Sequence, residues 1–133
     1  MKPDVSLDFQ FKNSIEQVWF ALTDSNTIAK WIMENDFQPV AGHRFQFRAE
    51  PTKWWNGIVD CEVLEVNKLN KLSFTWVSGE VSTSVTWTLK NSDGTTFLHL
   101  EQSGFNGNTQ AINGAIHGWG KMCGQLENVL AQL

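Results

Sequence analysis

Three histidines, a run of carboxylates and two cysteines are the residues of this chain with the most chemistry to offer. His43, His99 and His117 share no metal-ligand spacing with one another or with Cys61 and Cys123, so no metal is expected. Asp60, Glu62 and Glu65 follow closely enough for two of them to share a strand face, as a paired acid and base would. Asp60 and Glu62 alternate with Val59, Cys61 and Val63, so the simple parity puts the carboxylates outside and the apolar trio inside. The reverse parity would bury two charges, for which Arg44 and Arg48 are the obvious partners. There is no Gly-x-Ser-x-Gly elbow, phosphate-binding loop or dinucleotide fingerprint. No catalytic residue and no cofactor are therefore assigned.

The terminal segment must position much of the rest. From Asn108 to Leu133, apolar residues fall at Ile112, Ile116, Trp119, Cys123, Leu126, Leu130 and Leu133, the steps of a helix with one buried face. His117 lies ~200° from Trp119 at 3.6 residues per turn, which assigns it to solvent. Gly114, Gly118, Gly120 and Gly124 interrupt this helix, each at ~1 kcal/mol against alanine. They either permit close approach to a sheet or let the helix bend over a cavity.

Upstream, Val5 to Phe11 alternates as a half-buried strand. Ser14-Ile15-Glu16-Gln17 forms a capping box ahead of Ile15, Val18, Trp19 and Leu22, and this helix ends near Asp24. A second short helix is expected to carry Ile28, Trp31 and Ile32, before a loop at Pro39 and Gly42. The period then changes to two. Strands are expected from Arg44, over Gly57 to Val66, Leu72 to Trp76, Val81 to Lys90 and Thr95 to Gln102, with turn residues at each junction. Connections this short favour antiparallel pairing. The fold class is thus α+β: a twisted antiparallel sheet of about six strands, two short helices and a long C-terminal helix enclosing a cavity.

The whole of 1–133 reads as one domain, long enough for a core without staples. A net charge of −4 with only 10 lysines and arginines argues against nucleic acid as a partner. Met1-Lys2-Pro3-Asp4 leads into strand residues and not into a signal peptide, and nothing approaches the ~20 apolar residues of a membrane span. A cytoplasmic protein without stable membrane insertion is expected, a monomer or weak homodimer, with both cysteines as buried free thiols.

Several segments resemble the START-like, or SRPBCC, superfamily and, within it, the branch named for activators of the Hsp90 ATPase. Ile28-Ala29-Lys30-Trp31 followed by Phe37-Gln38-Pro39-Val40-Ala41-Gly42 and Phe45 is similar to that branch's tryptophan-containing helix and glycine loop. Leu72-Ser73-Phe74-Thr75-Trp76, Val85-Thr86-Trp87-Thr88-Leu89, Ser103-Gly104-Phe105 and Gly118-Trp119 follow in family order. The resemblance implies the helix-grip fold. It also implies binding of hydrophobic small molecules such as lipids, sterols or polyketides between helix and sheet, some members acting on them as cyclases or aromatases.

Seven tryptophans and nine phenylalanines supply walls for such a cavity. By parity and helical face, the lining is expected from Phe45, Val59, Cys61, Phe74, Trp76, Val85 and Trp87 on the sheet. Ile116, Trp119, Met122, Cys123 and Leu126 would complete it from the helix, with Phe37, Trp54 and Trp55 at the mouth. The function expected is non-catalytic binding of a hydrophobic or aromatic small molecule. The alternatives are a cyclase or aromatase, which needs Glu62, Arg44 or Arg48 facing inward, and a chaperone-partner or stress-response protein, which needs an exposed apolar patch.

Overall fold

In a computed structural model that describes residues 3–133, the chain forms a seven-stranded sheet crossed by one long helix. The strands are β1 (Val5–Phe11), β2 (Glu34–Asn35), β3 (Arg44–Arg48), β4 (Ile58–Asn67), β5 (Lys71–Ser78), β6 (Val81–Ser92) and β7 (Thr95–Ser103). Their spatial order is β1-β7-β6-β5-β4-β3-β2, and every neighbouring pair is antiparallel. Consecutive hairpins build most of this sheet. The first strand closes it from the far side by pairing with the last, Val5 opposite Gln102 and Phe11 opposite Thr96. The seventh strand, β2, has only two residues, too few for a period-two pattern to reveal.

Helix α1 (Ile15–Thr23) starts at the expected capping box: Ser14 Oγ accepts from the Gln17 N–H, and the Gln17 side chain accepts from the Ser14 N–H. It buries Val18, Trp19, Ala21 and Leu22. Helix α2 is shorter than the pattern suggested, spanning Ser25–Ile28 only. Trp31 lies in the turn that follows, fixed by donation from its indole to the Ala21 carbonyl at 2.9 Å. An aromatic that bonds back to α1 needs no helix of its own.

Strand parity is as the alternation required. Val59, Cys61 and Val63 are buried on β4, while Asp60 is exposed and Glu62 half-buried on the opposite face. A β-bulge then inserts one residue between Val63 and Glu65, and Leu64 emerges to solvent. Arg44 pairs with Glu62 at 3.5 Å and Arg48 with Asp36 at 3.4 Å, both in exposed settings. The charges of this region are thus on the outer face.

Helix α3 (Thr109–Leu130) is capped by Asn108, whose side chain accepts from the Ala111 N–H. Its fully buried residues are Trp119, Cys123, Leu126, Val129 and Leu130, all in the second half. Before Trp119 no residue of the helix is fully buried. The helix therefore packs tightly at its C-terminal end, where the Leu130 carbonyl accepts from Asn13, and is only partly covered at its N-terminal end.

Candidate functional site

A cleft of about 280 Å³ lies where the first half of α3 passes over the sheet. The sheet contributes Trp76 and Ser78 from β5, Val81 from β6 and Gln102 from β7, and Phe105 closes one side. The helix contributes Ala111, Gly114, Ala115, Gly118, Trp119 and Met122. Most of these helical residues are small. Alanine and glycine on the face beside Trp119 leave unfilled the volume that leucine or phenylalanine would take.

The floor is aromatic. Trp119 lies 5.1 Å from Trp76 and 5.3 Å from Trp87 between ring centroids, the latter edge-on at 88°. Trp87 in turn meets Trp31 at 5.8 Å, and Trp76 meets Phe47 at 5.2 Å. Tilted and edge-on contacts of this kind contribute about 0.5–1.5 kcal/mol each beyond area burial. The rings thus hold one another while two of them, Trp76 and Trp119, still present surface to the cleft.

Beside the rings, a directed chain of hydrogen bonds reaches the cleft at Gln102. Trp119 Nε1–H donates to Gln102 Oε1 at 2.8 Å, Gln102 Nε2–H donates to Thr83 Oγ1 at 2.9 Å, and Thr83 Oγ1–H donates to the Trp76 carbonyl at 2.8 Å. Gln102 and Thr83 are both buried. Among the described residues no buried side-chain nitrogen or oxygen lacks a partner. An indole can only donate, so the Gln102 oxygen must face Trp119 and its amino group must face Thr83.

The rim is held from outside the helix. Gly104, at φ +108°, adopts a conformation that suits glycine, and a Cβ there would come within 2.9 Å of the Ser82 carbonyl oxygen. The Gly104 and Phe105 N–H groups both donate to Asp4 Oδ2 at 3.0 Å. This turn places the Phe105 ring against the cleft.

Of the residues expected to line a cavity, Trp76, Trp119 and Met122 surround this cleft. Phe45, Val59, Cys61 and Phe74 are buried in the solid core further along the sheet, as are Val85, Trp87, Cys123 and Leu126. They face inward but touch other side chains, Phe45 meeting Phe37, Phe47 and Phe74, and Trp87 meeting Trp31 and Trp119. Ile116 is 40% exposed. At about 100° per residue it lies ~60° around the helix from Trp119, on the side away from Met122. Phe37 is buried edge-on to Phe45 at 5.1 Å, Trp54 is 87% exposed on the β3–β4 loop, and Trp55 is half-buried with its indole donating to the Ile58 carbonyl. None of these three lines the cleft, which Val81, Phe105 and Ala111 border in addition to the residues named above.

Gln102 and Thr83 were not singled out from the sequence, although a signal was present. Gln102 continues the inward parity of Leu98 and Leu100, and Thr83 that of Val85 and Trp87. A polar residue at an inward strand position demands a partner.

The helical glycines do not serve close approach: a Cβ at Gly114, Gly120 or Gly124 would meet nothing within 4 Å, and at Gly118 only the Met122 methyl at 3.8 Å. The two cysteines are free and buried. Burial, aided by the charges of Asp60 and Asp36, pushes the Cys61 thiol well above its usual range, and burial pushes Cys123 up to about 12. His117 is exposed, and His43 contacts the Asp36 carbonyl at 2.9 Å. His99 sits between Asp8 and Glu101 on the outer face, each contact 2.8 Å, a cross-strand cluster that single-strand parity does not reveal.

Residues 12–131 match the family described as Activator of Hsp90 ATPase homolog 1-like protein. The chain belongs to this family. Within the SRPBCC superfamily, the Hsp90 ATPase activator homolog-like branch keeps the helix-grip arrangement seen here, a curled antiparallel sheet with a long C-terminal helix. Among solved structures, protein MLL2253 from Mesorhizobium loti is 37% identical over 96% of both chains, with a TM-score of 0.90. DynU16, a protein of the dynemicin biosynthetic locus, is 23% identical, with a TM-score of 0.82, over 96% of this chain and 46% of its own. The Aha1 dimer from Colwellia psychrerythraea is 19% identical, with a TM-score of 0.79, over 95% of this chain and 96% of its own. These last two show the shared fold. No curated protein matches the chain. No helix among the described residues is long and apolar enough to cross a membrane.

Proposed function

We propose that this family member binds a hydrophobic or aromatic small molecule, without catalysis, in the cleft between α3 and the sheet. The observation that carries the reading is the cleft itself: about 280 Å³, floored by Trp76 and Trp119, with no charged residue in its lining. Ligand sites combine an apolar, concave surface with a few polar groups that set orientation, and Gln102 and Ser78 supply those here. The volume sits at the small end of such sites, which favours a ligand of one to three rings or a short lipid segment over a whole sterol. Affinity would come from apolar burial at ~25 cal/mol per Å². The biosynthetic locus to which DynU16 belongs is in keeping with a fold that handles small molecules.

A cyclase or aromatase needs an acid, base or charge beside the ligand. Glu62, Arg44 and Arg48, the groups available for that role, pair with partners on the outer face. An interaction surface for a chaperone needs a contiguous apolar patch. The large exposed apolar side chains among the described residues, Phe20, Val40, Trp54, Leu64, Phe97, Ile116 and Leu133, are spread over α1, β4, β7, α3, two loops and the C-terminal residue.

The test is intrinsic fluorescence combined with thermal melting. Titration with short-chain lipids, sterols and flavonoid-like aromatics should perturb emission through Trp76 and Trp119 and raise Tm by linkage for the class that fits. A panel that changes neither emission nor Tm defeats the proposal.

A further inference from the structure

We infer that the cleft is selective for a neutral ligand carrying a hydrogen-bond acceptor oxygen, a ketone, ether or hydroxyl on an apolar ring frame, and that Gln102 sets this selectivity. The inference rests on the cleft being a ligand site and specifies what it takes. Gln102 is 2% exposed and borders the cleft. Its amide has two N–H donors and an oxygen with two lone pairs. Among the described residues, one lone pair is used by Trp119 and one N–H by Thr83.

The direction of that chain decides what is left. Trp119 can only donate, and the Thr83 hydroxyl proton is committed to the Trp76 carbonyl, so the amide cannot flip to offer its oxygen to Thr83. One Nε2–H of Gln102 therefore remains to be used, and it belongs to a group whose orientation is locked on both sides. A ligand oxygen is the complement of that donor. A water can satisfy that donor when no ligand is bound, and displacing it with an apolar group that cannot replace its hydrogen bond costs affinity.

The lining also excludes. None of Trp76, Ser78, Val81, Gln102, Phe105 or the helical residues carries a charge. A carboxylate entering the cleft would lose hydration with no opposite charge to replace it. Fatty acids and aromatic acids are therefore disfavoured relative to neutral oxygenated rings of the same size.

Three probes with one bicyclic frame separate these statements: α-tetralone with a ketone oxygen, tetralin with none, and tetralin carboxylate with a negative charge. By fluorescence titration at neutral pH, the wild-type protein should bind α-tetralone about three- to tenfold more tightly than tetralin, the worth of one net hydrogen bond. Tetralin carboxylate should bind most weakly. In Gln102→Met the ketone preference should vanish while tetralin binding persists. If that variant does not fold, the Gln102 side-chain NH₂ resonances of the wild type serve instead, expected to move with α-tetralone and stay in place with tetralin. Equal binding of ketone and hydrocarbon with an unmoved Gln102 amide, or a carboxylate bound as tightly as the ketone, overturns the inference and leaves the cavity proposal standing. Failure of all three probes to bind also overturns the inference, and the cavity proposal is then decided by the lipid, sterol and flavonoid-like panel.

Discussion

The indole N–H of Trp119 on α3 donates to the side-chain oxygen of Gln102 on β7 at 2.8 Å, tying the long helix to the sheet where the cleft begins. Both residues are almost fully buried, so the contact is made with little water present. It marks the boundary between two regimes of the same helix. Toward Leu130 the helix closes on a solid core, and toward Thr109 it stands off and leaves space.

Trp119→Phe keeps an aromatic ring but removes the donor, leaving the Gln102 oxygen buried without a partner. A loss of about 1–3 kcal/mol is expected in urea unfolding, the cost of an unsatisfied buried group. Combining it with Gln102→Met removes both partners, and the double variant should lose less than the sum of the two single changes.

The glycines of α3 separate helix stability from cleft volume. Gly120→Ala and Gly124→Ala place a methyl in open space and should stabilise the fold by up to ~1 kcal/mol each without changing ligand binding. Gly118→Ala should gain a similar amount, because its methyl meets only the Met122 terminus at 3.8 Å, but it narrows the cleft and should weaken binding. Chemical denaturation and ligand titration on the same three variants check both halves of the statement.

The outer face carries a titrating group. Burial lowers the His99 pKa, but the hydrogen bonds and charges of Asp8 and Glu101 outweigh it, so the net shift is upward from 6.5. A raised folded-state pKa adds stability that is fully present below the unfolded value and is lost as pH rises through the folded value. The stability difference between wild type and His99→Gln should therefore be largest near pH 6 and shrink as pH rises beyond the folded pKa. Urea midpoints for both proteins across that range measure it, and a difference that grows with pH would refute the assignment.

Cys61 and Cys123 are buried thiols held in the protonated form. A thiol reagent at pH 8 should leave both unmodified in the folded protein and label both after denaturation, since the thiolate is the reactive species. Rapid labelling of the native protein would mean that α3 opens far enough to expose Cys123.

Local rules carried much of this architecture. The Ser14 and Gln17 capping box, the alternation of Val59, Cys61 and Val63 with Asp60 and Glu62, and the spacing of Trp119, Cys123, Leu126 and Leu130 each depend on residues close in sequence, and each was legible. What spacing does not encode is the distance between a helix and the sheet beneath it. Ile112 and Ile116 continue the stripe of Trp119, yet the helix is not fully covered there, so an inward apolar position became a partly exposed one. The same limit explains why Val85, Trp87 and Leu126 face inward yet pack against other side chains instead of bordering the cleft. Gln102, Thr83 and Trp119 come from three separate elements, and the partner of an inward glutamine is visible only once those elements are packed.

The most direct test of the central claim is a side-chain NMR titration that follows the indole N–H resonances of all seven tryptophans with α-tetralone as the probe. Saturable shifts should be concentrated at Trp76 and Trp119, with Trp54 and Trp19 unmoved and Tm rising with ligand concentration. Saturable shifts centred on Trp54 or Trp55, or no saturable shift at any tryptophan, would contradict that claim.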